Sequence, residues 1–256
     1  MSAGTPGASD DIAAGLLDAL RQAGRVVFLT GSGVSAESGV PTFRDEMTGL
    51  WARYRPEELA TPEAFRRDPA LVWAWYRERR RHVAAAQPNG AHHAIARLQA
   101  RIPGAVLITQ NVDGLHQRAG SPDVIEFHGN LFTNRCRDCG HEMQDPDPEL
   151  ESPPACPRCG QRMGPGVIWF GESIPAEALA MAWRYSMAAE VFFSIGTSGQ
   201  VYPAAQLVEL ARSSGAIVVE ANTAPTPLTE SADFVLRGPA GRTLPRLAES
   251  LIDSSK

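Results

Sequence analysis

The stretch VVFLTGSGVSAESGVPTFR, residues 26–44, passes from an unbroken apolar run into a loop of glycine and serine. Val26 to Thr30 has the length and continuous apolarity of a strand buried on both faces. Gly31, Ser32 and Gly33 follow at once, with Ser35, Ser38 and Arg44 close behind. Gly31, Gly33 and Ala36 fit the permissive G-x-G-x-x-G/A spacing. In that pattern glycines let backbone approach a pyrophosphate, and the following helix offers its unpaired N–H groups to the anion. A tight turn between a strand and a helix explains the same residues without any ligand. The rest of the chain has to decide.

Working outward, IAAGLLDALRQAG has apolar residues at helical spacing, with Asp10 or Asp11 placed to cap it and Gly24 to end it. Further apolar runs of strand length are AVLITQ (105–110), DVIEF (123–127), EVFFSIG (190–196), AIVVEAN (216–222) and DFVLRG (233–238). Helical stretches such as HHAIARLQAR and PAAQLVELARSSG separate several of them. Short, nearly continuous apolar strands alternating with helices predict an α/β fold, a parallel sheet covered on both faces. Two segments break the alternation. Residues 45–90 are rich in Trp, Arg and Glu and read as helical, and residues 132–164 hold all four cysteines and many prolines. Both are expected to form a smaller lobe beside a sheet domain made of residues 10–44, 91–131 and 165–256, with 1–9 as a flexible tail.

The 256 residues suffice for a full core, and 43% hydrophobic with 21% charged residues is ordinary for a globular chain. A net charge of -5 argues against a general nucleic-acid or membrane-surface binder. No apolar run reaches membrane-spanning length, and the start, MSAGTPGASDD, lacks the basic and apolar regions of an export signal. The expectation is a cytoplasmic monomer with no nucleic-acid or membrane partner.

Cys136-x2-Cys139 and Cys156-x2-Cys159 are separated by 16 residues, within the range of a four-cysteine zinc site. Four thiolates close a tetrahedron and leave no position for water, so one structural zinc per chain is expected. Two disulfides fit poorly with a chain lacking an export signal. A zinc ribbon also occurs in nucleic-acid-binding modules, so the cysteines alone do not define a function.

Four of the apolar runs lead straight into polar or small residues. These are Gly31-Ser32-Gly33, Gln110-Asn111-Val112-Asp113, Gly196-Thr197-Ser198 and Asn222-Thr223. In an open parallel sheet such ends line one edge, where ligands bind at the topological switch point. The ribose-binding acid of a simple dehydrogenase, expected about 20 residues past the glycines, has no counterpart here. His128, in EFHGN, falls between a strand and the cysteine segment, where a cleft between two lobes would form. A lone His is more often structural than catalytic, and Asn and Asp are common in turns.

Together TGSGVSAESGVPTFR, TQNVDGLHQRAG, FHG, the paired C-x-x-C motifs, VIWFGE, GTS and the Asn222 loop resemble the sirtuins, NAD-dependent protein lysine deacylases. The motifs run in family order over about 30 to 240. Two positions depart from the commonest pattern: Ser32 stands where Ala is usual, and Thr42 where many members have Asp. The resemblance implies a Rossmann-like NAD-binding domain and a small lobe of helical module and zinc ribbon. NAD and an acyl-lysine peptide would meet in the cleft between them. The acyl oxygen would attack C1′ of the nicotinamide ribose, so that nicotinamide leaves and the acyl group ends on ADP-ribose. His128 would be the general base, with Asn111, Asp113 and Arg44 as its catalytic companions. Around the cofactor the resemblance places Gly31, Ser32, Gly33, Ser35, Glu37, Phe43, Arg44, Trp51, Gln110, Val112, Gly196, Thr197, Ser198, Asn222, Thr223 and Ala240. Backbone from Val167 through Gly171 to Glu172 would pair with the peptide as an added strand, and Trp169 and Phe170 would wall the acyl tunnel.

WAWYRERRRH, residues 73–82, reads by itself as a solvated basic helix face. Tyr76 and Arg79 are three residues apart and share one face of a helix. An Arg fork beside a Tyr hydroxyl can bind a carboxylate by charge-assisted hydrogen bonds. Resemblance to the demalonylase and desuccinylase branch (class III) places this pair at the floor of the acyl pocket, widened by Ala60, with Arg77, Arg80 and Arg81 as surface charges. The expected activity is removal of malonyl and succinyl groups, with some deacetylation. A sirtuin that mainly deacetylates or transfers ADP-ribose is the alternative within the class. Outside it stands a non-catalytic zinc-ribbon adaptor that binds nucleotide, which would have no chemical need for His128, Asn111 and Asp113 together.

Overall fold

The structure is a computed structural model, and it describes residues 14–41, 56–144, 147 and 149–253. Asp10, Asp11, Thr42, Phe43, Arg44 and Trp51 lie outside the described residues.

Helix α1 (Ala14–Gln22) leads into β1 (Val26–Thr30), and two 3₁₀ turns, Ser32–Val34 and Ala36–Ser38, follow the strand. The helical insertion holds α2 (Pro56–Leu59), α3 (Pro62–Arg67) and α4 (Pro69–Ala85). Next come α5 (Gly90–Arg101), β2 (Ala105–Thr109), α6 (Leu115–Arg118) and β3 (Val124–Glu126). Strands β4 (Gly129–Cys136), β5 (Glu142–Gln144) and β6 (Met163–Val167) form the ribbon. The chain then runs through α7 (Ala176–Ala188), β7 (Val191–Ile195), α8 (Ala204–Ser213), β8 (Ile217–Asn222), β9 (Phe234–Arg237) and α9 (Ala240–Asp253).

Six strands form the main sheet in the order β3-β2-β1-β7-β8-β9, and every pairing in it is parallel. Strands β1 and β7 are buried along their whole length, as their unbroken apolar sequences require. Alternate residues serve opposite faces. Val26 and Phe28 pack with Leu16, Leu20, Ile95, Leu98, Leu244 and Leu247 of α1, α5 and α9. Val27 and Leu29 pack with Ala182, Leu207 and Val208 of α7 and α8. Each large side chain so buried contributes about 1.5–3 kcal/mol.

The helices of the insertion start where the sequence supplies caps. Thr61 accepts from Ala64 N ahead of α3, and Asp68 accepts from Leu71 N ahead of α4, each followed by proline at the first helical position. Strands β4 and β6 pair antiparallel from Gly129↔Val167 to Cys136↔Met163. They carry the chain across the divisions that composition suggested at 131/132 and 164/165. The three-stranded sheet therefore begins at Gly129, immediately after His128.

Candidate active site and metal centre

Strand order reverses between β1 and β7, which places the switch point where the first glycine loop faces the loop after β7. Thr30 pairs with Thr109 on one side and Ile195 on the other, so three strands end flush. The Gly31 N–H donates to Ile195 O at 2.9 Å, and the Gly33 N–H donates to Gly196 O at 2.8 Å. A Cβ at Gly31 would stand 2.7 Å from Thr197 Cβ, and one at Gly33 would stand 2.8 Å from Gly196 O. These glycines are therefore required by loop-on-loop packing, whatever binds above them. The helix start expected after the loop is replaced, in the described residues, by the two 3₁₀ turns. The Val34 and Ser35 N–H groups bond to Gly31 O and Ser32 O within those turns. Ser32 is exposed at the crest, and Ser198 is half-buried. Gln110 Nε2 donates to Thr197 Oγ1 at 3.1 Å, and Asn222 Nδ2 donates to Thr197 O at 3.0 Å. Thr223 N–H closes on Asn222 Oδ1. Glu37 accepts from Gly241 N at 2.7 Å, which ties the first loop to the start of α9 beside Ala240.

Below this crest lies a buried polar network. Ser35 Oγ donates to Asp113 Oδ2 at 2.7 Å and accepts from Asn111 Nδ2 at 3.1 Å. Asp113 Oδ1 accepts from Leu115 N at 2.9 Å. Burial raises the Asp113 carboxyl above the ordinary carboxylate range, against the pull of the Leu115 and Ser35 donors and of the more distant Arg118 and Arg79 charges. His92 Nδ1 accepts from Asn89 N, so its other nitrogen carries the proton and faces Ser35 Oγ at 3.4 Å. Burial brings His92 down to about 4. His116 stands beside it with Nε2 3.0 Å from Thr30 Oγ1, and burial lowers it well below the ordinary histidine value. Its Nδ1 has no hydrogen-bond partner among the described residues. Residue-by-residue reading passed over Thr30, Asn89, His92, Thr109 and His116. The available signal was polar residues at positions that helix and strand periodicity turn inward.

His128 follows β3 in the turn that leads into β4. Its Nδ1 lies 3.2 Å from Gln110 O. A carbonyl oxygen only accepts, so Nδ1 carries the proton and Nε2 keeps its lone pair. Burial lowers the His128 pKa, opposed by the Gln110 hydrogen bond, so the ring is neutral at pH 7. That is the state a general base needs.

Ala60, Phe65, Tyr76, Val112, Leu131, Val167 and Trp169 pack into one cluster where the helical insertion meets the ribbon. Trp169 Nε1 donates to Tyr76 Oη at 2.9 Å. The Arg79 guanidinium lies over the Trp75 and Tyr76 rings, 5.0 and 5.4 Å from their centroids. One expectation needs correction. Arg80 is not a surface charge: it is 2% exposed, and its Nε donates to Leu131 O at 2.6 Å and its Nη2 to Asn134 Oδ1 at 2.7 Å. It is the fourth residue after Tyr76, on the apolar face of α4, and finds carbonyl partners there. Phe170 is 47% exposed, whereas Trp169 is buried; Phe170 and Gly171 form the tip of a turn that Glu172 N closes on Trp169 O, with Gly171 at φ 85°. Much of the segment's donor capacity is also committed. Ile168 N donates to His128 O, Trp169 N to Glu172 Oε2, Phe170 N to Ala60 O and Glu172 N to Trp169 O.

The four cysteine sulfurs lie within 4.8 Å of one another, with Cys136 and Cys159 at 3.5 Å and Cys139 and Cys156 at 3.6 Å. A disulfide needs about 2.05 Å. A tetrahedron with bonds of about 2.3 Å has edges of about 3.8 Å, so this set fits zinc. Four thiols, with no other ligand group grouped with them among the described residues, close the site and favour a structural ion.

The Sir2 family profile matches residues 31–203. With more than half the chain matched, and with relatives near half identity over nearly all of it, the chain belongs to the Sir2 family. An NAD-dependent protein deacylase of Aquifex aeolicus is 51% identical over 229 residues, 88% of this chain and 95% of the relative. One of Ralstonia nicotianae is 53% identical, covering 89% of this chain and 92% of the relative. The crystal structure of a Sir2 homologue with NAD superposes with a TM-score of 0.91 at 44% identity, covering 96% of each chain. A Sir2 protein bound to acetylated peptide superposes with a TM-score of 0.82 at 32% identity, covering 92% of this chain and 97% of the other.

Proposed function

We propose that this chain is an NAD-dependent protein lysine deacylase that takes malonyl and succinyl groups, and acetyl groups less readily, from lysine side chains. NAD enters as co-substrate, and with one water the products are free lysine, nicotinamide and O-acyl-ADP-ribose. One observation supports this reading above the others. His128 is neutral, with its Nδ1 proton engaged by Gln110 O, on the loop that also delivers Asn111 and Asp113. Its Nε2 is then the basic atom, suited to drawing a proton from a ribose hydroxyl. Asn111, held by Ser35, and Asp113 orient the nicotinamide ribose and amide, and Gln110 meets the ribose. The loops carrying Gly31, Gly196, Ser198, Asn222 and Ala240 hold the ADP half.

The acidic preference rests on Tyr76, Arg79 and Ala60. Tyr76 Oη accepts from Trp169 Nε1, and a phenol O–H is a donor of the kind a carboxylate takes. Arg79 adds a charged fork whose field also reaches Asp113. The peptide lies along residues 167–172 and uses chiefly carbonyl acceptors, since the donors of residues 168, 169, 170 and 172 are engaged. No helix among the described residues is long and apolar enough to cross a membrane. The reading places a monomer in the cytoplasm, acting on acylated proteins and on neither nucleic acid nor lipid. Mass spectrometry with NAD and matched acetyl-, malonyl- and succinyl-lysine peptides tests it. Acyl transfer to ADP-ribose, fastest with the acidic acyl groups, is expected. Transfer of ADP-ribose to protein without deacylation refutes it.

A further inference from the structure

Arg137 occupies the first metal knuckle, between Cys136 and Cys139, yet its side chain turns away from the sulfurs. Its Nη1 donates to Pro165 O at 2.7 Å and to Arg135 O at 3.2 Å, and its Nη2 donates to Val167 O at 2.8 Å. Its Nε lies 3.2 Å from Glu172 Oε1, and both partners of that pair are largely buried. The guanidinium covers the face of the Trp169 ring, 3.8 Å from the centroid. Trp169 is thus held at every polar point and on its face. Glu172, itself oriented by Arg137, accepts its N–H at 2.8 Å, and Tyr76 accepts its Nε1–H. Phe65 packs against the ring at a centroid distance of 5.3 Å. Gly164 supplies an independent sign that the arrangement is built. A Cβ there would come within 3.0 Å of the Trp169 ring and 3.1 Å of Arg137 Nη1, so the missing side chain makes room for the stacked pair.

We propose that Arg137 is a positioning residue of the acyl-lysine site: from the metal knuckle it fixes the Trp169 ring and the Pro165–Glu172 segment, and so sets the affinity for the acylated peptide. The inference rests on the proposed placement of the acyl chain against Trp169. Its physical basis is that a planar guanidinium can satisfy three carbonyls, a carboxylate and an aromatic face at once, which an ammonium cannot. Loss of Arg137 would free the ring face and leave Glu172 buried without its cation.

The test compares Arg137→Met, Arg137→Lys, the double variant Arg137→Met/Glu172→Gln and Trp169→Ala, with KM and kcat measured separately for acyl-lysine peptide and for NAD. Zinc content by elemental analysis is read beside the kinetics. In Arg137→Met the peptide KM should rise on the order of 10- to 100-fold, the value of one or two charged hydrogen bonds. The NAD KM should stay within about twofold and the metal at one per chain. Arg137→Lys should recover part of the loss, and the double variant should fold with the same peptide defect even if the single variant does not. An unchanged peptide KM in the folded Arg137 variants, beside a raised one in Trp169→Ala, overturns the role of Arg137 alone. An unchanged peptide KM in Trp169→Ala overturns the acyl-site reading itself. A parallel rise in both KM values with loss of zinc makes Arg137 a support of the ribbon only, and also ends the proposal.

Discussion

Replacing Ser35 with alanine removes one hydroxyl from the centre of the buried network and breaks its three contacts together. Asp113 loses the 2.7 Å donor, Asn111 Nδ2 loses its 3.1 Å acceptor, and the long 3.4 Å approach to His92 disappears. A hydrogen bond to a charged group contributes about 1.5–3 kcal/mol and a neutral one about 0.5–1.5 kcal/mol. Ser35 is 1% exposed, so water does not readily replace them. The expected destabilisation is about 2–4 kcal/mol, or a fall in Tm of roughly 5–15 °C for a domain of this size. Catalysis should report the same event in a second way. Burial already raises the Asp113 carboxyl, and Ser35 is one of the donors that lower it. Without that donor the carboxylate takes up a proton at higher pH, so the acid limb of kcat/KM for NAD shifts upward. Thermal unfolding and a pH profile of kcat/KM with a fixed acyl-lysine peptide measure both effects. A Ser35→Ala protein with the parent Tm and an unmoved acid limb would show that the network neither stabilises the fold nor tunes Asp113.

His128→Ala should lower kcat by around 10²–10⁴, the range for losing a general base, while NAD binding measured by calorimetry stays near the parent value; parent turnover in the variant refutes the mechanism. Arg79→Met should lower kcat/KM for succinyl-lysine by on the order of 10²–10³ and spare deacetylation, whereas equal losses on both peptides would make Arg79 a packing residue. Tyr76→Phe should cost roughly tenfold on the succinyl peptide, and it also leaves the Trp169 indole N–H without its acceptor, so Arg79 gives the cleaner result. Elemental analysis should find one zinc per chain, and chelation should melt the ribbon and abolish activity; active protein free of metal contradicts the four-cysteine site. His92 keeps a folded pKa of about 4 against an ordinary value of 6.5. The unfolded chain therefore binds more protons between those values, and stability present above pH 6.5 is lost as pH falls toward 4, by about 3 kcal/mol. Urea midpoints across that window should show a shallower loss in His92→Gln, and an identical slope in parent and variant rules His92 out.

The sequence by itself determined the parallel sheet, the chain order of the motifs, the four-cysteine metal site and the loops that face the switch point. These are legible because each is local. Continuous apolarity marks a strand buried on both faces, as in β1 and β7, and paired C-x-x-C motifs carry their ligand geometry in the spacing. Tertiary structure alone decided what the same residues do across the chain. Gly31 and Gly33 look like phosphate-loop glycines, yet their N–H groups and missing Cβ atoms serve the close approach of the Ile195–Thr197 segment, with Gly196 lying 163 residues beyond Gly33. Arg80 looks like one of several surface arginines in RERRR, and only the packing of α4 onto β4 turns it inward to Leu131 O and Asn134. His92, His116 and Arg137 belong to no spacing rule. Their side chains also meet Ser35, Thr30 and Trp169 from other segments, and which partner is supplied from elsewhere in the chain cannot be read from the spacing around the residue itself. The site is therefore a product of contacts between segments that the sequence shows only one at a time.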